Sequence, residues 1–335
     1  MPTPPDRARP LPLSVKAVFL LALAIVAGAC SGHTPTTPQT FQLQCPADLN
    51  VGSNSATGLA VGFFSPVSIG GNAPFAVTCT PASGAVFPVG RTPVTCAAVD
   101  GLGDRAQCTF NVTVAPTRPD ASIVVAFGDS TTEGQNGRTS AFGTRVVDVP
   151  NAYPTQLQIL LDAAFPSPRI LVLNRGVGGE PVETGLLRLP GQLDADRPDT
   201  LLLLDGYNNL LNNCGFSVGV TSNCLSTINF VASTLGQMVQ TGRQKGARHV
   251  FLSTLTPPGP LAGPTDRRIA PDAIVRINSL LPGVAGANGA VLVDAYASFV
   301  GHEAEYVDQD GLHLRPAGYL VIADLFYAAI LTTSR

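Results

Sequence analysis

A strand-to-helix transition occupies residues 123–133, which read Ile123-Val124-Val125-Ala126-Phe127-Gly128-Asp129-Ser130-Thr131-Thr132-Glu133. The apolar run at 123–127 predicts a strand that is buried on both faces, as strands of covered parallel sheets are. Gly128 permits a sharp turn, and Ser130 then lies near a helix amino terminus, where free N–H groups favour developing negative charge. The segment therefore predicts a strand, a tight turn and a helix, with a hydroxyl group at the turn.

The same alternation of apolar runs and helical patterns continues to the carboxyl end of the chain. Further strands are predicted at 170–173, 201–204, 250–253 and 291–293, and helices at 153–165, 228–245 and 271–281. Such alternation is typical of an α/β domain with a parallel sheet covered on both faces. Ligands of these sheets collect at the carboxyl ends of the strands, which is where Ser130 is expected.

A base for this serine is available near the other end of the chain. His313 follows Asp310 by three residues, so one imidazole nitrogen can bond the carboxylate while the other faces Ser130. Pro316 begins a further predicted helix, which leaves His313 in a loop. Asp308 is the competing carboxylate for the histidine.

Composition excludes several classes of protein. The chain has 335 residues, a net charge of -3 and only 13% charged residues, so it has no broad basic surface for nucleic acid. No His, Cys, Asp or Glu group has metal-ligand spacing, and we expect neither a metal nor a cofactor. A length of 335 residues suggests roughly two domains.

The amino terminus predicts export. Basic residues precede an apolar run at 17–26, which is too short to span a bilayer, and small residues follow it. We interpret 1–29 as a signal peptide and 30–40 as a polar tether. The block Ala27-Gly28-Ala29-Cys30 resembles a bacterial lipobox, which implies a lipid on Cys30 and a membrane anchor in the cell envelope. In a Gram-negative host this would be the outer membrane or the periplasmic face. Ala27 departs from the usual Leu or Val, so simple cleavage remains the alternative.

Residues 41–114 contain short β-rich runs separated by Gly, Pro and Asn, a pattern typical of a β-sandwich. Four cysteines fall in this segment, and in an exported protein they are most simply two disulfides. Three pairings are possible. We favour Cys45 with Cys108 and Cys79 with Cys96, because the first and last strands of such sandwiches tend to be neighbours.

The same segment resembles the hyalin repeat (HYR) module. The resemblance rests on Cys45-Pro46-Ala47, Val77-Thr78-Cys79, Gly84-Ala85-Val86-Phe87-Pro88-Val89-Gly90, Val94-Thr95-Cys96, Asp100-Gly101 and Cys108-Thr109-Phe110-Asn111-Val112-Thr113-Val114. It implies an immunoglobulin-like fold and a role as a spacer or as a contact with surface glycan or protein, and it implies no chemistry. Residues 115–121 are then a short, stiff linker.

The larger domain, from residue 122 to 335, resembles the SGNH or GDSL hydrolases. Four blocks occur in the family's order: Gly128-Asp129-Ser130, Asn174-Arg175-Gly176-Val177-Gly178-Gly179, Gly206-Tyr207-Asn208-Asn209 and Asp310-Gly311-Leu312-His313. The resemblance implies a three-layer, flavodoxin-like α/β/α fold. It also implies Ser130 as nucleophile, His313 as base and Asp310 as its partner, with an oxyanion held by Ser130 and Gly176 N–H groups and the Asn208 amide.

Two features modify this resemblance. Asn209 stands where the family's block has Asp, so the support that a carboxylate gives to the loop must come from an amide. Cys214 and Cys224 lie in a loop after the same block and are expected to form a third disulfide.

These observations predict an exported serine ester hydrolase that forms an acyl-enzyme on Ser130 and acts on a small-molecule or glycan ester. One alternative is a carbohydrate O-acetylesterase. Another is a non-catalytic surface adhesion or binding protein, which the β domain and Asn209 motivate.

Overall fold

The computed structural model describes residues 40–139, 145–262 and 266–333. The predicted signal peptide, the lipidation site at Cys30 and all but the last residue of the tether lie outside the described residues. Within the described ranges, no helix combines the length and the apolar character needed to cross a membrane.

The amino-terminal module is built entirely of strands. They are β1 (Gln42–Gln44), β2 (Leu49–Ser53), β3 (Leu59–Ala60), β4 (Val67–Ile69), β5 (Ala76–Thr80), β6 (Val86–Phe87), β7 (Gly90–Val99) and β8 (Arg105–Pro116). The main sheet has the order β2-β8-β7-β5, and β1 pairs with β4 and β3 with β6. Phe87, Val94 and Val112 are fully buried between these sheets, because alternate residues along each strand point inward.

Two disulfides tie this module together. Cys45 bonds Cys108 on β8, and Cys79 on β5 bonds Cys96 on the neighbouring β7. This is the pairing that the sequence favoured. Strand β8 extends to Pro116 and pairs with β2, so the first two residues of the predicted linker belong to the sheet.

The rest of the chain is an α/β domain. Its elements are β9 (Ile123–Gly128), α1 (Ser130–Glu133), β10 (Gln135–Thr139), β11 (Arg145–Val147), α2 (Tyr153–Ala164), β12 (Leu171–Gly176), α3 (Val182–Asp196), β13 (Thr200–Leu204), α4 (Tyr207–Asn213), α5 (Ser222–Gln244), β14 (His249–Ser253), α6 (Pro271–Asn288), β15 (Val291–Val293), α7 (Ala295–Phe299), α8 (Glu303–Tyr306) and α9 (Pro316–Leu331).

Five of these strands form one parallel sheet, in the order β12-β9-β13-β14-β15. Every residue of β13 and all but the first of β9 are buried, because helices cover both faces of the sheet. Helices α3, α5 and α6 pack side by side, and α2 packs against α9. The parallel α/β fold predicted from the sequence is confirmed.

The strand order places β9 at a topological switch point. The chain leaves β9 for β12 on one side and later enters β13 on the other side of β9. In open parallel sheets such a point opens a crevice at the carboxyl ends of the strands, which is where ligands bind. Gly128, the last residue of β9, lies at this crevice and leads directly into Ser130.

Candidate active site

Ser130 is the first residue of α1, directly after the turn that ends β9. Asp129 caps this helix, since its Oδ1 accepts a hydrogen bond of 3.0 Å from the N–H of Thr131. A side chain at position 128 would collide with the carbonyl oxygen of Leu204 on the neighbouring strand, so the turn requires glycine. The Ser130 side chain therefore has a fixed position at the end of the sheet.

His313 meets this serine although 183 residues separate them. Its Nε2 lies 2.9 Å from Ser130 Oγ, and its Nδ1 lies 2.6 Å from Asp310 Oδ2. Ser130 and Asp310 are each 4% exposed and His313 is fully buried. Hydroxyl, imidazole and carboxylate thus form one continuous hydrogen-bonded line, the arrangement that activates a serine as a nucleophile.

The loop that carries His313 is held by its own backbone. Asp310 Oδ1 accepts the N–H groups of Leu312 and His313 at 3.1 and 3.0 Å, which leaves Oδ2 for the imidazole. Asp308 bonds elsewhere: its Oδ2 accepts the N–H of Gly137 at 3.0 Å. Asp310, and not Asp308, is therefore the carboxylate on the histidine.

The environment of Asp310 keeps it ionised. Burial raises the pKa of a carboxyl group, but the hydrogen bond and charge of His313, together with the two N–H groups, outweigh burial and hold the pKa of Asp310 below its ordinary value. A carboxylate in this state orients the imidazole and stabilises the imidazolium that forms when the serine loses its proton.

Besides capping α1, Asp129 connects the serine turn to the start of α4. Its Oδ2 accepts the N–H of Tyr207 at 3.2 Å and the Asn208 side-chain amide at 3.5 Å, so it joins the serine turn to the start of α4. The side chain is completely buried, and burial raises its pKa to about 6, against the lowering effect of its N–H donors. Asp129 therefore joins the serine turn to α4, while the nearby His313 and the N–H donors counteract part of the rise in its pKa.

The three predicted oxyanion donors differ in the hydrogen-bond acceptors that they already have in the structure. The N–H of Ser130 bonds no acceptor among the described residues, and the Asn208 amide donates to the carbonyl oxygen of Glu180 at 3.1 Å, beside the serine turn. The N–H of Gly176 already donates to Asn174 Oδ1 at 2.9 Å. This intramolecular acceptor argues against the predicted role of the Gly176 N–H as an oxyanion donor.

Gly176 is required for a different reason. A Cβ atom there would overlap the backbone of Thr132 and Glu133, so the glycine allows α1 to pack directly on β12. The next turn of this segment, at Gly178 and Gly179, contains backbone N–H groups that are available as donors instead. Within the described part of the chain, no acceptor bonds the N–H of Gly178 or Gly179, and Glu180, the next residue, is the one that contacts Asn208.

Comparison with known proteins agrees with this geometry. Residues 126–321 match the model of the GDSL-like lipase/acylhydrolase family, and this match spans more than half of the sequence. The chain belongs to this family. It is accordingly an ester-hydrolysing enzyme. Residues 43–114 match the model of the HYR domain, as the sequence predicted. No curated protein matches the chain.

Solved structures with similarity to this GDSL-like hydrolase cover its larger domain. A lipase/acylhydrolase from Enterococcus faecalis is 21% identical and aligns over 64% of this chain and 97% of that chain, with a TM-score of 0.49. An acetylxylan esterase from Geobacillus stearothermophilus is 20% identical over 64% and 96%, with a TM-score of 0.48. An α/β hydrolase from the metagenome of Lake Arreo is 21% identical over 64% and 96%, with a TM-score of 0.45.

Asn209, the departure from the family's block, has a local explanation in this hydrolase. Its Oδ1 accepts the N–H of Val182 at 2.9 Å, at the first turn of α3, and its Nδ2 donates to Glu183 Oε2 at 2.8 Å. A carboxylate at position 209 would face the Glu183 carboxylate, so the amide suits this neighbour. The loop support is therefore present in the form of an amide.

Cys214 and Cys224 form the third disulfide, over a sequence separation of 10 residues. Both cysteines are fully buried, and the bond joins the end of α4 to the first turn of α5. The helix that carries Asn208 is therefore tied covalently to the scaffold. Among the described residues, no group of three or more His, Cys, Asp or Glu side chains is arranged to hold a metal ion.

Sequence reasoning overlooked one buried group behind the site. Asp205 directly follows β13 and is 1% exposed; its Oδ1 accepts the N–H of Gly206 at 2.7 Å, while its Oδ2 has no partner within the described residues. Burial first, and then the nearby Asp129 and Glu180 charges, raise the pKa of Asp205 well above its ordinary value. The sequence signal that could have identified Asp205 is a single carboxylate directly after an otherwise apolar strand.

Proposed function

We propose that this enzyme is an exported serine ester hydrolase in which Ser130 is the nucleophile, His313 the general base and Asp310 the residue that orients the histidine. The observation that carries the proposal is the continuous hydrogen-bonded line from Ser130 Oγ through both nitrogens of His313 to Asp310 Oδ2. A serine hydroxyl is a weak nucleophile until a base adjacent to it accepts its proton.

In the first half of the reaction, Ser130 Oγ attacks the carbonyl carbon of the ester while His313 Nε2 takes the hydroxyl proton. The C–O bond of the ester then breaks, and the imidazolium gives that proton to the departing alcohol. In the second half, His313 removes a proton from water, which attacks the acyl-enzyme; the acid leaves as Ser130 regains its proton.

Negative charge on the carbonyl oxygen is stabilised by donors fixed before the reaction. The Ser130 N–H serves in this role together with the N–H groups of Gly178 and Gly179, which bond no acceptor among the described residues. The Asn208 amide, which donates to the carbonyl oxygen of Glu180 at 3.1 Å and to Asp129 Oδ2 at 3.5 Å, joins them by exchanging one of these acceptors for the oxyanion. Removing one such donor typically lowers kcat by about 10²- to 10³-fold.

We also propose that the chain is exported and anchored by lipid on Cys30. The domain arrangement is a signal peptide at 1–29, a lipidated tether at 30–40, an HYR-like sandwich at 41–114, a linker at 115–121 and the hydrolase at 122–335. Three disulfides support an oxidising compartment, because thiols stay reduced in the cytosol. The sandwich then acts as a spacer or contacts surface glycan or protein.

The substrate is a small-molecule or glycan ester. A non-catalytic adhesion role is disfavoured, because membership of an acylhydrolase family and an assembled hydroxyl, imidazole and carboxylate both point to turnover. A carbohydrate O-acetylesterase is the alternative within the same class of reaction.

The direct test is hydrolysis of a chromogenic short-chain ester by the purified protein. We expect Ser130→Ala to lower kcat by about 10⁴- to 10⁶-fold, as loss of a serine nucleophile does elsewhere, with an unchanged circular dichroism spectrum. Ser279→Ala, on the exposed side of α6, is the matched control and should retain the wild-type rate. Equal rates for wild type and Ser130→Ala would remove Ser130 from the chemistry.

A further inference from the structure

Arg188, on α3, holds both ends of the turn at 176–179. Its Nη2 donates to the carbonyl oxygen of Arg175 at 3.1 Å and to Glu180 Oε2 at 2.6 Å. Its Nε donates to Glu180 Oε1 at 3.0 Å, which completes a two-pronged bond between guanidinium and carboxylate. One nitrogen atom therefore joins the two residues that flank this turn.

The pair of Glu180 and Arg188 is largely removed from water. The Glu180 side chain is 5% exposed and that of Arg188 is 25% exposed. The guanidinium carbon also lies 4.0 Å from the centre of the Phe127 ring, which is fully buried near the end of β9. An arginine that forms a two-pronged bond and stacks on a ring has a defined orientation that a lysine does not reproduce. Arg188 is therefore fixed against both the turn and the strand that leads to Ser130.

This support continues from Glu180 to the side chain of Asn208. The carbonyl oxygen of Glu180 accepts the Asn208 amide at 3.1 Å, and the same amide nitrogen lies 3.5 Å from Asp129 Oδ2. The Glu180 bond is the shorter of the two, and it can persist while an oxyanion takes the place of the Asp129 contact. The position of Glu180 therefore sets the position of the proposed Asn208 donor.

The turn at 176–179 is also tied to the nucleophile. The N–H of Val177 donates to the carbonyl oxygen of Gly128 at 3.0 Å, two residues before Ser130. The N–H of Glu180 donates to the carbonyl oxygen of Val177 at 3.2 Å and closes the turn. The two glycine N–H groups between Val177 and Glu180, which bond no acceptor among the described residues, are thus held beside the serine turn.

We infer that Arg188 is a positioning residue for the oxyanion donors: it holds the turn at 176–179 and, through Glu180, the Asn208 amide. The inference rests on the proposed serine hydrolase function and adds to it a residue that acts through other groups. Arg188 takes no part in the bond-breaking steps. Donors that are fixed before the reaction stabilise the oxyanion without a cost of reorganisation, so loosening their support should slow the chemical step.

The test replaces Arg188 by lysine in the full-length enzyme. Lysine keeps a positive charge beside the buried Glu180 carboxylate, which protects the fold, but its ammonium group cannot form the two-pronged bond and also reach the Arg175 carbonyl. We expect Arg188→Lys to lower kcat for 4-nitrophenyl acetate about 10- to 100-fold with KM within about threefold, because misplacing a catalytic group by about 1 Å costs on the order of 10²-fold.

Two further variants separate this effect from a loss of stability. Arg169 forms an equivalent two-pronged bond with Asp162, at 2.9 and 2.8 Å, just before β12 begins, so Arg169→Lys is the matched control and should keep the wild-type kcat. Glu180→Gln removes a buried charge and keeps one acceptor oxygen, so it should fold and should lower kcat about 3- to 10-fold. Thermal melts check the fold of each variant.

A double-mutant cycle shows whether Arg188 acts through Asn208. The factor by which Arg188→Lys lowers kcat is measured in the wild type and again in Asn208→Ala. Residues that act as a unit are not additive, so this factor should be at least about fivefold smaller in Asn208→Ala. An ion pair that only stabilises α3 would leave kcat unchanged or lower it by the same factor in both backgrounds.

Each outcome decides the inference. If Arg188→Lys and Glu180→Gln both keep kcat within about twofold of the wild type, or if the two backgrounds give equal factors, the inference is overturned while the ester hydrolase proposal stands. If Arg188→Lys does not fold, Glu180→Gln decides by the same criteria. If the wild type hydrolyses the ester no faster than Ser130→Ala does, the proposed function fails, and this inference fails with it.

Discussion

At the scale of single residues, Ser130 is placed by its neighbours on the chain and hydrogen-bonded by a histidine far from it in sequence. Gly128 and Asp129 shape the turn and cap the helix, and both lie within two residues of the serine. His313 reaches the hydroxyl only because the loop before α9 ends at the same edge of the sheet. Local sequence thus determines the orientation of the serine, and long-range packing supplies its base.

The protonation of Asp205 links the stability of the fold to pH. Its pKa in the folded protein is raised, so between the ordinary value of 3.8 and the raised value the folded chain keeps a proton that the unfolded chain has released. Stability then falls as pH rises through this window, by at most about 1.4 kcal/mol per pH unit. Above this pH range Asp205 is ionised in both the folded and the unfolded chain, and the folded protein bears the full cost of the buried charge.

We therefore predict that Asp205→Asn is more stable than wild type at neutral pH. The Asn oxygen can still accept the N–H of Gly206, and a neutral amide removes both the buried charge and its repulsion with Asp129 and Glu180. Urea unfolding at several pH values from 4 to 8 should show a stability difference that grows with pH. A difference that stays constant or shrinks would mean that Asp205 is ionised in both states.

At the scale of secondary-structure elements, close contact between α1 and β12 holds the nucleophile. Gly176 makes this contact possible, since a side chain at this position would overlap the backbone of Thr132 and Glu133. The helix has only four residues, too few to be stable through its own hydrogen bonds, so its geometry also depends on this packing.

We predict that Gly176→Ala displaces α1 and impairs the enzyme. Overpacking against a backbone costs about 1–3 kcal/mol, and a shift of the serine by about 1 Å costs on the order of 10²-fold in rate. Gly191→Ala is the matched control: an added Cβ there meets no atom, and the change should stabilise α3 by about 0.5–1 kcal/mol. Thermal melts and ester hydrolysis measure both effects; wild-type activity of Gly176→Ala would contradict the packing argument.

Several elements differ from their predicted bounds for reasons of tertiary packing. Helix α6 continues through Pro282 to Asn288, whereas the prediction ended at 281, because packing against α5 outweighs the hydrogen bond lost at the proline. The hairpin β10–β11 was not predicted, since its first strand, Gln135–Thr139, is polar and contains glycine. It forms where Tyr319 and Asp308 bond its backbone.

At the scale of the whole molecule, the parallel sheet separates the linker from the active site. Arg248, just before β14, bonds Asp120 of the linker at 3.0 Å, and Asp199 accepts the N–H of Ser122 at 2.8 Å. These contacts lie at the amino end of β9, while Ser130 follows its carboxyl end. A strand of six residues places them about 20 Å apart. The chain from the small module therefore enters the hydrolase at the end opposite the nucleophile.

This arrangement suits an enzyme held at its amino terminus, and it leads to a prediction about Cys30. We expect Cys30→Ser to abolish incorporation of labelled fatty acid and to move the protein from the membrane fraction to the soluble fraction, because stable anchoring needs the acyl chains. Activity per molecule on a small ester should stay within about twofold, since Cys30 has no part in the proposed chemistry. Membrane retention of the variant, or a soluble wild type, would contradict lipid anchoring.

The sequence alone indicated the fold class and the two modules, favoured one of three cysteine pairings and singled out Ser130, Asp310 and His313 as candidates, because these predictions rest on apolar runs, turn residues, residue spacing and family resemblance. Tertiary structure decided the rest. It committed the Gly176 N–H to Asn174 Oδ1 and buried Asp205 with no described partner for its Oδ2, while the N–H groups of Gly178 and Gly179 bond no acceptor among the described residues. Hydrogen-bond partners and burial depend on which distant segments meet, and no spacing along the chain encodes that.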